Sequence, residues 1–195
     1  MPVYPFVKRL LDIIFSAAAI LFFSPLFLCA ALIIKAGSKG PVIFKQKRAG
    51  RNGKLFTIYK FRTMRVDAPK DVPTHLLADP QAHITRIGRF LRKTSLDELP
   101  QLVNIFVGQM SWIGPRPALY NQDDLLACRA RLGADAVRPG LTGWAQINGR
   151  DEIPVEEKAR LDGEYIRRMG FFFDCRCFFA TFAGVLKGSG VKEGK

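Results

Sequence analysis

An apolar segment near the N-terminus, LLDIIFSAAAILFFSPLFLCAALIIK (10–35), constrains the fold more than any other feature of the chain. It contains a single acid, Asp12. At about 1.5 Å per residue, a straight helix of this length would cross a hydrocarbon layer of roughly 30 Å. No small-residue cleavage site follows it, so we expect the segment to be retained rather than removed as a signal peptide. The sequence therefore predicts a chain that is held at a membrane.

Two features of this segment argue against a simple crossing. Ser24-Pro25 lies in its middle, and proline removes a backbone donor and kinks a helix. Basic residues flank both ends, with Lys8 and Arg9 before the segment and further lysines and arginines from Lys35 onward. Such residues concentrate on the cytoplasmic side of a membrane. A re-entrant helix–break–helix, which enters and leaves through the cytoplasmic leaflet, satisfies both observations. A proline-kinked spanning helix is the alternative.

Composition limits the class of partner. The net charge of +13 and the pI near 10.0 indicate an anionic partner, which could be nucleic acid, an anionic membrane surface or a phosphorylated substrate. Only two histidines and four cysteines are present, and the pair Cys175 and Cys177 has no second cysteine pair with which to complete a zinc site. A zinc site or a Ser-His triad is therefore not expected, and the cysteines fit a reducing, cytosolic face. A bound metal would be a hard cation held by carboxylate and phosphate oxygens.

The remaining periodicity predicts a mainly α-helical fold with a small β-hairpin. PVIFKQKRAGRNGKLFTIYKFRTM (41–64) forms two β-prone runs around a GRNG turn, and Lys60 and Arg62 lie at the exit of the hairpin. We expect a re-entrant membrane anchor over residues 1–36 and a compact cytosolic or interfacial catalytic domain over residues 37–195. Interfacial amphipathic helices are expected in this second part. In the Phe-rich C-terminal helix, the face formed by Cys175, Phe178, Phe179, Phe182 and Leu186 packs in the core or lies in the membrane interface, and the membrane segment favours the interface. Helices are predicted over 83–95, 100–114, 121–135, 155–169 and 170–188.

TSLDELPQL (94–102) places two adjacent acids, Asp97 and Glu98, after a run of cations. One interpretation is structural, because Ser95-x-x-Glu98 matches a capping box and an acid near a helix N-terminus is stabilising. The other is chemical, because a carboxylate can attack phosphorus and form an acyl phosphate that an acceptor then discharges. Attack on a diphosphate needs a divalent cation and arginines on the developing charge, and Mg²⁺ suits that role. The candidate arginines are Arg89, Arg92 and Arg116.

Two further stretches have the composition of ligand-binding loops. GPRP (114–117) holds Arg116 between two prolines, which limits the entropy that the side chain loses when it binds an oxyanion. VRPGLTGWAQINGRDEIP (137–154) is rich in Gly, Asn, Gln and Arg, the residues with which loops often contact ligands. It matches neither a Walker A loop nor a dinucleotide-binding fingerprint. The candidate residues are Arg138, Gly140, Thr142, Gln146, Asn148 and Arg150.

Taken in order, five motifs make the chain resemble a known family. They are SPLF (24–27), YKFRTM (59–64), RKTSLDELPQLVNIFVGQMSWIGPRP (92–117), RPGLTGWAQINGR (138–150) and LDGEYI (161–166). They follow one another in unbroken order, and the likeness extends over nearly the whole chain. The chain resembles the small monotopic phosphoglycosyl transferases. These bacterial enzymes initiate the synthesis of glycoconjugates such as exopolysaccharide.

This resemblance implies an activity. A sugar 1-phosphate would pass from a UDP-sugar to polyprenyl (undecaprenyl) phosphate with release of UMP, by a ping-pong path through a covalent aspartyl-phosphosugar intermediate. The enzyme would lie on the cytoplasmic face of the bacterial inner membrane, in contact with anionic phospholipid. A membrane-anchored nucleic-acid- or lipid-binding module without catalysis is the rival reading. The resemblance favours the enzyme, and no nucleic acid partner is then expected.

The resemblance also implies roles for individual residues. Asp97 is the expected nucleophile and metal ligand, Glu98 assists it, and Mg²⁺ is required. Arg92 and Arg116 are expected at the substrate phosphate, and the membrane segment is expected to break at Ser24-Pro25. Lys60, Arg62 and Arg138 are further candidates for the phosphate, and Gly140, Thr142, Gln146, Asn148 and Arg150 for the nucleotide sugar.

Overall fold

The computed structural model describes residues 3–69, 72, 79–149 and 153–186. The described chain is mainly helical with an antiparallel hairpin, which confirms the predicted mainly α fold. The helices are α1 (Tyr4–Phe22), α2 (Ser24–Gly37), α3 (Pro80–His83), α4 (Arg86–Lys93), α5 (Gln101–Val107), α6 (Asp123–Arg131), α7 (Trp144–Ile147), α8 (Val155–Arg168) and α9 (Phe171–Leu186). The strands are β1 (Ile43–Ala49), β2 (Leu55–Phe61), β3 (Ser111–Ile113) and β4 (Gly140–Thr142).

The apolar N-terminal segment is a pair of helices with a sharp bend between them. Helices α1 and α2 meet at Phe23 at an angle of 60°. Pro25 occupies the first turn of α2, and the Ser24 hydroxyl donates to the carbonyl of Leu21 at 2.8 Å. The helix pair therefore bends directly before Ser24-Pro25, where a kink was predicted. Among the described residues no single helix meets the length and hydropathy requirements of a membrane span, whereas the bent pair meets them together.

The few polar side chains of α1 attach it to the rest of the molecule. The Arg9 guanidinium donates to the carbonyls of Ile105 and Phe106 in the last turn of α5, at 2.7 and 2.8 Å. The buried Asp12 carboxylate accepts from the backbone N–H of Trp112 in β3 at 3.0 Å. Burying such groups is tolerated because each has a hydrogen-bond partner. Helix α1 is therefore fixed to α5 and β3.

The hairpin forms where its turn was predicted. Strands β1 and β2 pair in antiparallel register, and Asn52 and Gly53 in the turn have positive φ values of 54° and 71°. Asparagine and glycine tolerate this conformation better than other residues. On the opposite side of β2, the Asn104 side chain accepts from Tyr59 N–H and donates to the Thr57 carbonyl, at 3.1 and 2.8 Å. The hairpin is thereby joined to α5.

A second, two-stranded parallel sheet was not predicted. Strands β3 and β4 pair with Ser111 opposite Gly140, and the predicted helix 100–114 is wrong beyond its first half. The physical reason is Gly108, whose φ of 92° ends α5 in the left-handed conformation. A Cβ on Gly140 would overlap the backbone of Gly114, so this crossing needs glycine.

Helix α9 shows two different faces. Phe173 and Cys177 are buried against β3 and α8, whereas Phe172 and Phe179 are among the most exposed apolar side chains of the described chain. Phe178 and Phe179 belong to the face for which core packing and a membrane interface were the two alternatives. Both side chains are exposed, which removes the core alternative for these two residues.

Candidate active site

The two adjacent acids lie in a short irregular turn rather than at a capped helix start. Ser95 has a positive φ of 56°, and residues Leu96–Glu98 form one 3₁₀ turn. The capping-box interpretation is wrong, because Ser95 makes no side-chain cap and the Glu98 carboxylate binds other groups. A non-glycine residue in the left-handed region is strained, and such strain concentrates at functional sites. The turn therefore presents both acids to neighbouring elements.

Glu98 is held between two cations. Its Oε1 accepts from Lys60 Nζ at 2.8 Å and from Arg116 Nη2 at 3.0 Å. Burial alone would raise the pKa of Glu98, but the charges of Arg116 and Lys60 outweigh it and hold the pKa well below the usual range. Burial lowers the pKa of Lys60, and the Glu98 charge opposes that shift. Glu98 is therefore a fixed anion that positions Lys60 and Arg116.

Asp97 has a different environment from its neighbour. Within the described ranges, its half-buried carboxylate forms neither an ion pair nor a side-chain hydrogen bond. Burial and then the Glu98 charge raise the pKa of Asp97 to about 6, against the opposing charges of Lys60 and Arg92. Near neutral pH Asp97 is thus mainly ionised, and its charge is less stabilised than that of an aspartate in water. This combination is what a nucleophilic carboxylate requires.

Arg116 is positioned by its own backbone as well as by Glu98. Its carbonyl accepts from Arg129 Nη1 at 2.9 Å, and Arg129 forms a buried ion pair with Asp162 at 2.6 Å. Asp162 lies on α8 in the LDGEYI motif. Sequence reasoning treated α8 as a plain helix and missed this role. The available signal was an acid on the same helical face as Ala159 and Tyr165, both of which are buried.

Arg92 approaches the carboxylates from α4. Its Nε donates to the Thr63 hydroxyl at 2.9 Å, and its charge lowers the pKa of Asp97. The close packing depends on Gly88, because a Cβ there would overlap the Thr63 carbonyl. Arg89, the neighbouring candidate, is exposed. The described candidates gathered around the acids are therefore Lys60, Arg92 and Arg116.

Two predicted phosphate ligands, Arg62 and Arg138, bind backbone carbonyls away from Asp97 and Glu98. Arg62 donates to the carbonyls of Ser38 and Lys39, immediately after α2. Arg138 Nε donates to the carbonyl of Gly108 at 2.8 Å, at the end of α5. In these positions Arg62 fixes the chain that leaves the anchor, and Arg138 lies beside a cavity lined by α1.

The residues predicted for the nucleotide sugar mostly bond within their own region. Gly140 lies in β4, and Arg150 is outside the described residues. Contacts of the others hold β4 and α7 in place, so binding of a nucleotide sugar by this loop stays a prediction. The hydrogen bonds join the Thr142 and Thr181 hydroxyls (2.6 Å), Gln146 Nε2 and the Leu141 carbonyl (3.1 Å), and Asn148 Nδ2 and the Trp144 carbonyl (2.8 Å).

The side chains around Asp97 fit a Mg²⁺ ion that is bound jointly by one carboxylate and the substrate phosphate. Over the described part of the chain, no group of three or more His, Cys, Asp and Glu side chains could hold a metal ion. Glu98 is already bound to Lys60 and Arg116, which leaves Asp97 as the available carboxylate. Mg²⁺ commonly binds one or two carboxylates together with substrate phosphates and retained waters. A cation that arrives with the substrate phosphate matches this arrangement.

A model of a known protein family matches nearly the whole chain. Residues 3–188 match a family model described as "Bacterial sugar transferase". The chain is 42% identical over 189 residues to a UDP-glucose:undecaprenyl-phosphate glucose-1-phosphate transferase of Escherichia coli K12, covering 93% of this chain and 40% of that protein.

Two other relatives are covered to different extents, and the name of one of them states a different sugar. Identity to the uncharacterized sugar transferase EpsL of Bacillus subtilis 168 is 44% over 168 residues, covering 86% of this chain and 80% of that protein. Identity to a UDP-N-acetylgalactosamine-undecaprenyl-phosphate N-acetylgalactosaminephosphotransferase of Aeromonas hydrophila is 37%, covering 98% of this chain and 46% of the relative. The chain thus spans less than half the length of the two relatives whose substrates are named.

Proposed function

Because the chain belongs to the bacterial sugar transferase family, we propose that it transfers a sugar 1-phosphate from a UDP-sugar to polyprenyl (undecaprenyl) phosphate. The observation that carries the proposal is the division between two adjacent acids. Glu98 is bound by Lys60 and Arg116, whereas Asp97 keeps an ionised carboxylate with a raised pKa. Such a site suits attack on a phosphorus atom. The names of two relatives state reactions of this type on undecaprenyl phosphate.

In the first step, an Asp97 carboxylate oxygen attacks the phosphorus that carries the sugar. The P–O bond to UMP breaks, UMP leaves with the bonding electrons, and the sugar phosphate remains on Asp97 as an acyl phosphate. Arg92 and Arg116 lie near enough to place positive charge on the phosphoryl oxygens as this step proceeds. Lys60 neutralises Glu98, so the incoming dianion meets one uncompensated carboxylate rather than two.

In the second step, a phosphate oxygen of the polyprenyl phosphate attacks the same phosphorus atom. The acyl phosphate bond breaks, Asp97 is regenerated as a carboxylate, and polyprenyl-diphosphate-sugar leaves. The two substrates use the same group of cations in turn. This ping-pong order requires one phosphate site, and the cations around Asp97 support it.

Mg²⁺, bound through Asp97 and the substrate, would supply charge neutralisation between the carboxylate and the diphosphate. The protein's own contribution is position and charge. Ser95 places the turn, Glu98 fixes two cations, and the Asp162–Arg129 pair fixes the backbone of Arg116.

For the membrane, we propose a monotopic arrangement on the cytoplasmic face of the inner membrane. The 60° bend between α1 and α2 and the basic residues at both ends of the pair support re-entry. The acceptor phosphate lies at headgroup level, so the site must lie close to the membrane surface. The reaction would be the first membrane step of a bacterial glycoconjugate pathway.

A covalent-adduct experiment tests this proposal. The purified protein is incubated with Mg²⁺ and either UDP-glucose or UDP-N-acetylgalactosamine, without any lipid acceptor, and then digested for mass spectrometry. We expect a sugar-phosphate adduct on the peptide that contains Asp97, one UMP released per adduct, and no adduct after chelation with EDTA.

The matched controls are two aspartate variants. Asp97→Asn should form no adduct and release no UMP, whereas Asp123→Asn, at an exposed position on α6, should behave as the parent protein. Turnover with undecaprenyl phosphate but without any adduct, together with sequential kinetics, would refute the covalent route.

A further inference from the structure

A second basic site lies apart from the carboxylates, against the first turns of α1. It is a cavity of about 220 Å³ between α1, β3 and the segment that precedes β4. The charged side chains that line it are Lys8, Arg9, Asp12, Arg51 and Arg138. The mechanism proposed above uses none of these residues.

The cavity carries an excess of positive charge. Lys8 is paired with Asp174 at 2.5 Å, and the Asp12 carboxylate already accepts from the backbone of β3. Three arginines therefore face one carboxylate. Burial and the charges of Arg9 and Arg51 lower the pKa of Arg138, and all three arginines line the same cavity. Like charges held together in this way favour binding of an anion.

Backbone contacts hold the guanidinium groups in place. Arg51 donates through Nε to the carbonyl of Ala136, and Arg138 through Nε to that of Gly108, both at 2.8 Å. The Arg9 guanidinium also lies over Gly108, so close that a Cβ on that glycine would be 3.0 Å from Arg9 Nη2. Bonding through Nε orients the outer nitrogens of Arg51 and Arg138, which form the fork that binds phosphate oxygens.

The surroundings of the cavity favour a lipid over a soluble anion. The exposed apolar side chains Phe6, Phe106 and Val107 lie on α1 and α5, the two helices that Arg9 joins. Helix α1 is also the start of the segment that is apolar enough to enter a membrane with α2. Cations beside exposed apolar groups at the end of a membrane helix are typical of headgroup contacts.

We propose that this cavity binds the phosphate of an anionic membrane phospholipid, with Arg9, Arg51 and Arg138 as its ligands. The bound headgroup neutralises the arginine cluster and fixes the entry end of α1 relative to the leaflet. This inference rests on the membrane placement given under the proposed function, but not on the transfer chemistry. It gives Arg138 a lipid partner in place of the substrate phosphate predicted from the sequence.

Native mass spectrometry of the full chain in detergent tests the proposal. It measures how tightly the protein retains phosphatidylglycerol and phosphatidylcholine, each offered separately. We expect one phosphatidylglycerol to be retained about tenfold more tightly than phosphatidylcholine, with a preference that weakens as salt is raised. Each cation near an anionic headgroup contributes about fivefold in affinity, so Arg51→Gln with Arg138→Gln should weaken phosphatidylglycerol binding about 30-fold.

The matched control removes two charges outside the cavity. Lys47 and Lys54 are exposed on and beside the same hairpin, and Lys47→Gln with Lys54→Gln should change the affinity by less than about threefold. Equal losses in the two double variants, or equal retention of the two lipids by the parent protein, would overturn the site. Inorganic phosphate that displaces phosphatidylglycerol at equal concentration would overturn the lipid assignment. UMP release in the same preparation tests the transfer reaction separately, so normal turnover without lipid selectivity would count against this site alone.

Discussion

Replacing Asp97 by asparagine should make the folded protein more stable at neutral pH while it abolishes turnover. The pKa of Asp97 is raised by burial and by the Glu98 charge, from 3.8 to about 6. The folded state therefore binds this proton more tightly than the unfolded chain does. Stability falls as the pH rises between these two values, and the full penalty is present above pH 6. Asparagine resembles the protonated acid and does not incur this penalty.

The size of the effect follows from the shift. One pKa unit corresponds to about 1.4 kcal/mol, so ionised Asp97 costs about 3 kcal/mol at about pH 8. At about pH 4.5 the same calculation gives a cost of only about 1 kcal/mol for Asp97 relative to asparagine. For a chain of this size, 1 kcal/mol shifts Tm by about 2–4 °C, so Asp97→Asn should gain about 6–12 °C at the higher pH.

Differential scanning fluorimetry in one detergent, at both pH values and one scan rate, measures this difference. The neighbouring acid supplies the contrast, because the pKa of Glu98 is lowered and its ionised form therefore stabilises the fold. Glu98→Gln should lower Tm at both pH values, since it leaves Lys60 and Arg116 without their shared carboxylate. A lower Tm for Asp97→Asn at about pH 8, or a gain that does not depend on pH, would refute the reasoning.

Four further predictions concern activity, stability and topology. Because Asp97 must be ionised to attack, kcat/KM for UMP release should fall about tenfold per pH unit below about pH 6, and a flat profile there would contradict its role. Arg116→Ala should lower kcat about 10²–10³-fold, whereas Arg160→Ala, at an exposed position on α8, should stay within about twofold, and equal losses would remove Arg116 from the site. Asp162→Asn breaks a buried ion pair and should cost about 3–5 kcal/mol, seen as a lower Tm, with an unchanged Tm as the contrary result. Membrane-impermeant thiol reagents should reach cysteines placed at the N-terminus and at Lys39 from the cytoplasmic side, and labelling from opposite sides would exclude re-entry.

Local patterns in the sequence predicted the elements whose causes are local. The bend of the apolar segment follows from Ser24-Pro25, and the hairpin follows from two β-prone runs around Asn52 and Gly53. In each case the residue that sets the backbone conformation lies within the element itself. Helices α4, α6 and α8 likewise show their period in the sequence.

Contacts between distant parts of the chain were not predictable in this way. The capping box was a reasonable local inference from Ser95 and Glu98, but two cations from other elements bind the Glu98 carboxylate more strongly than a turn could. The pairing of Asp162 with Arg129 joins residues on two helices, and no local period reveals which polar side chain will meet which. The parallel pairing of β3 with β4 has the same character, because each strand is only three residues long.

Both sides of the candidate active site pack against the apolar segment that forms α1 and α2. Leu91, from the helix that leads to the acids, packs in one core cluster with Ile34 of α2. On the other side, Asp12 of α1 binds the backbone of Trp112, and β3 then runs directly into the GPRP turn that carries Arg116. The positions of the acids and of Arg116 therefore depend on packing against α2 and α1 respectively. An anchor that only tethered the chain would not need a buried aspartate, and the position of Asp12 explains why the apolar segment keeps its single acid.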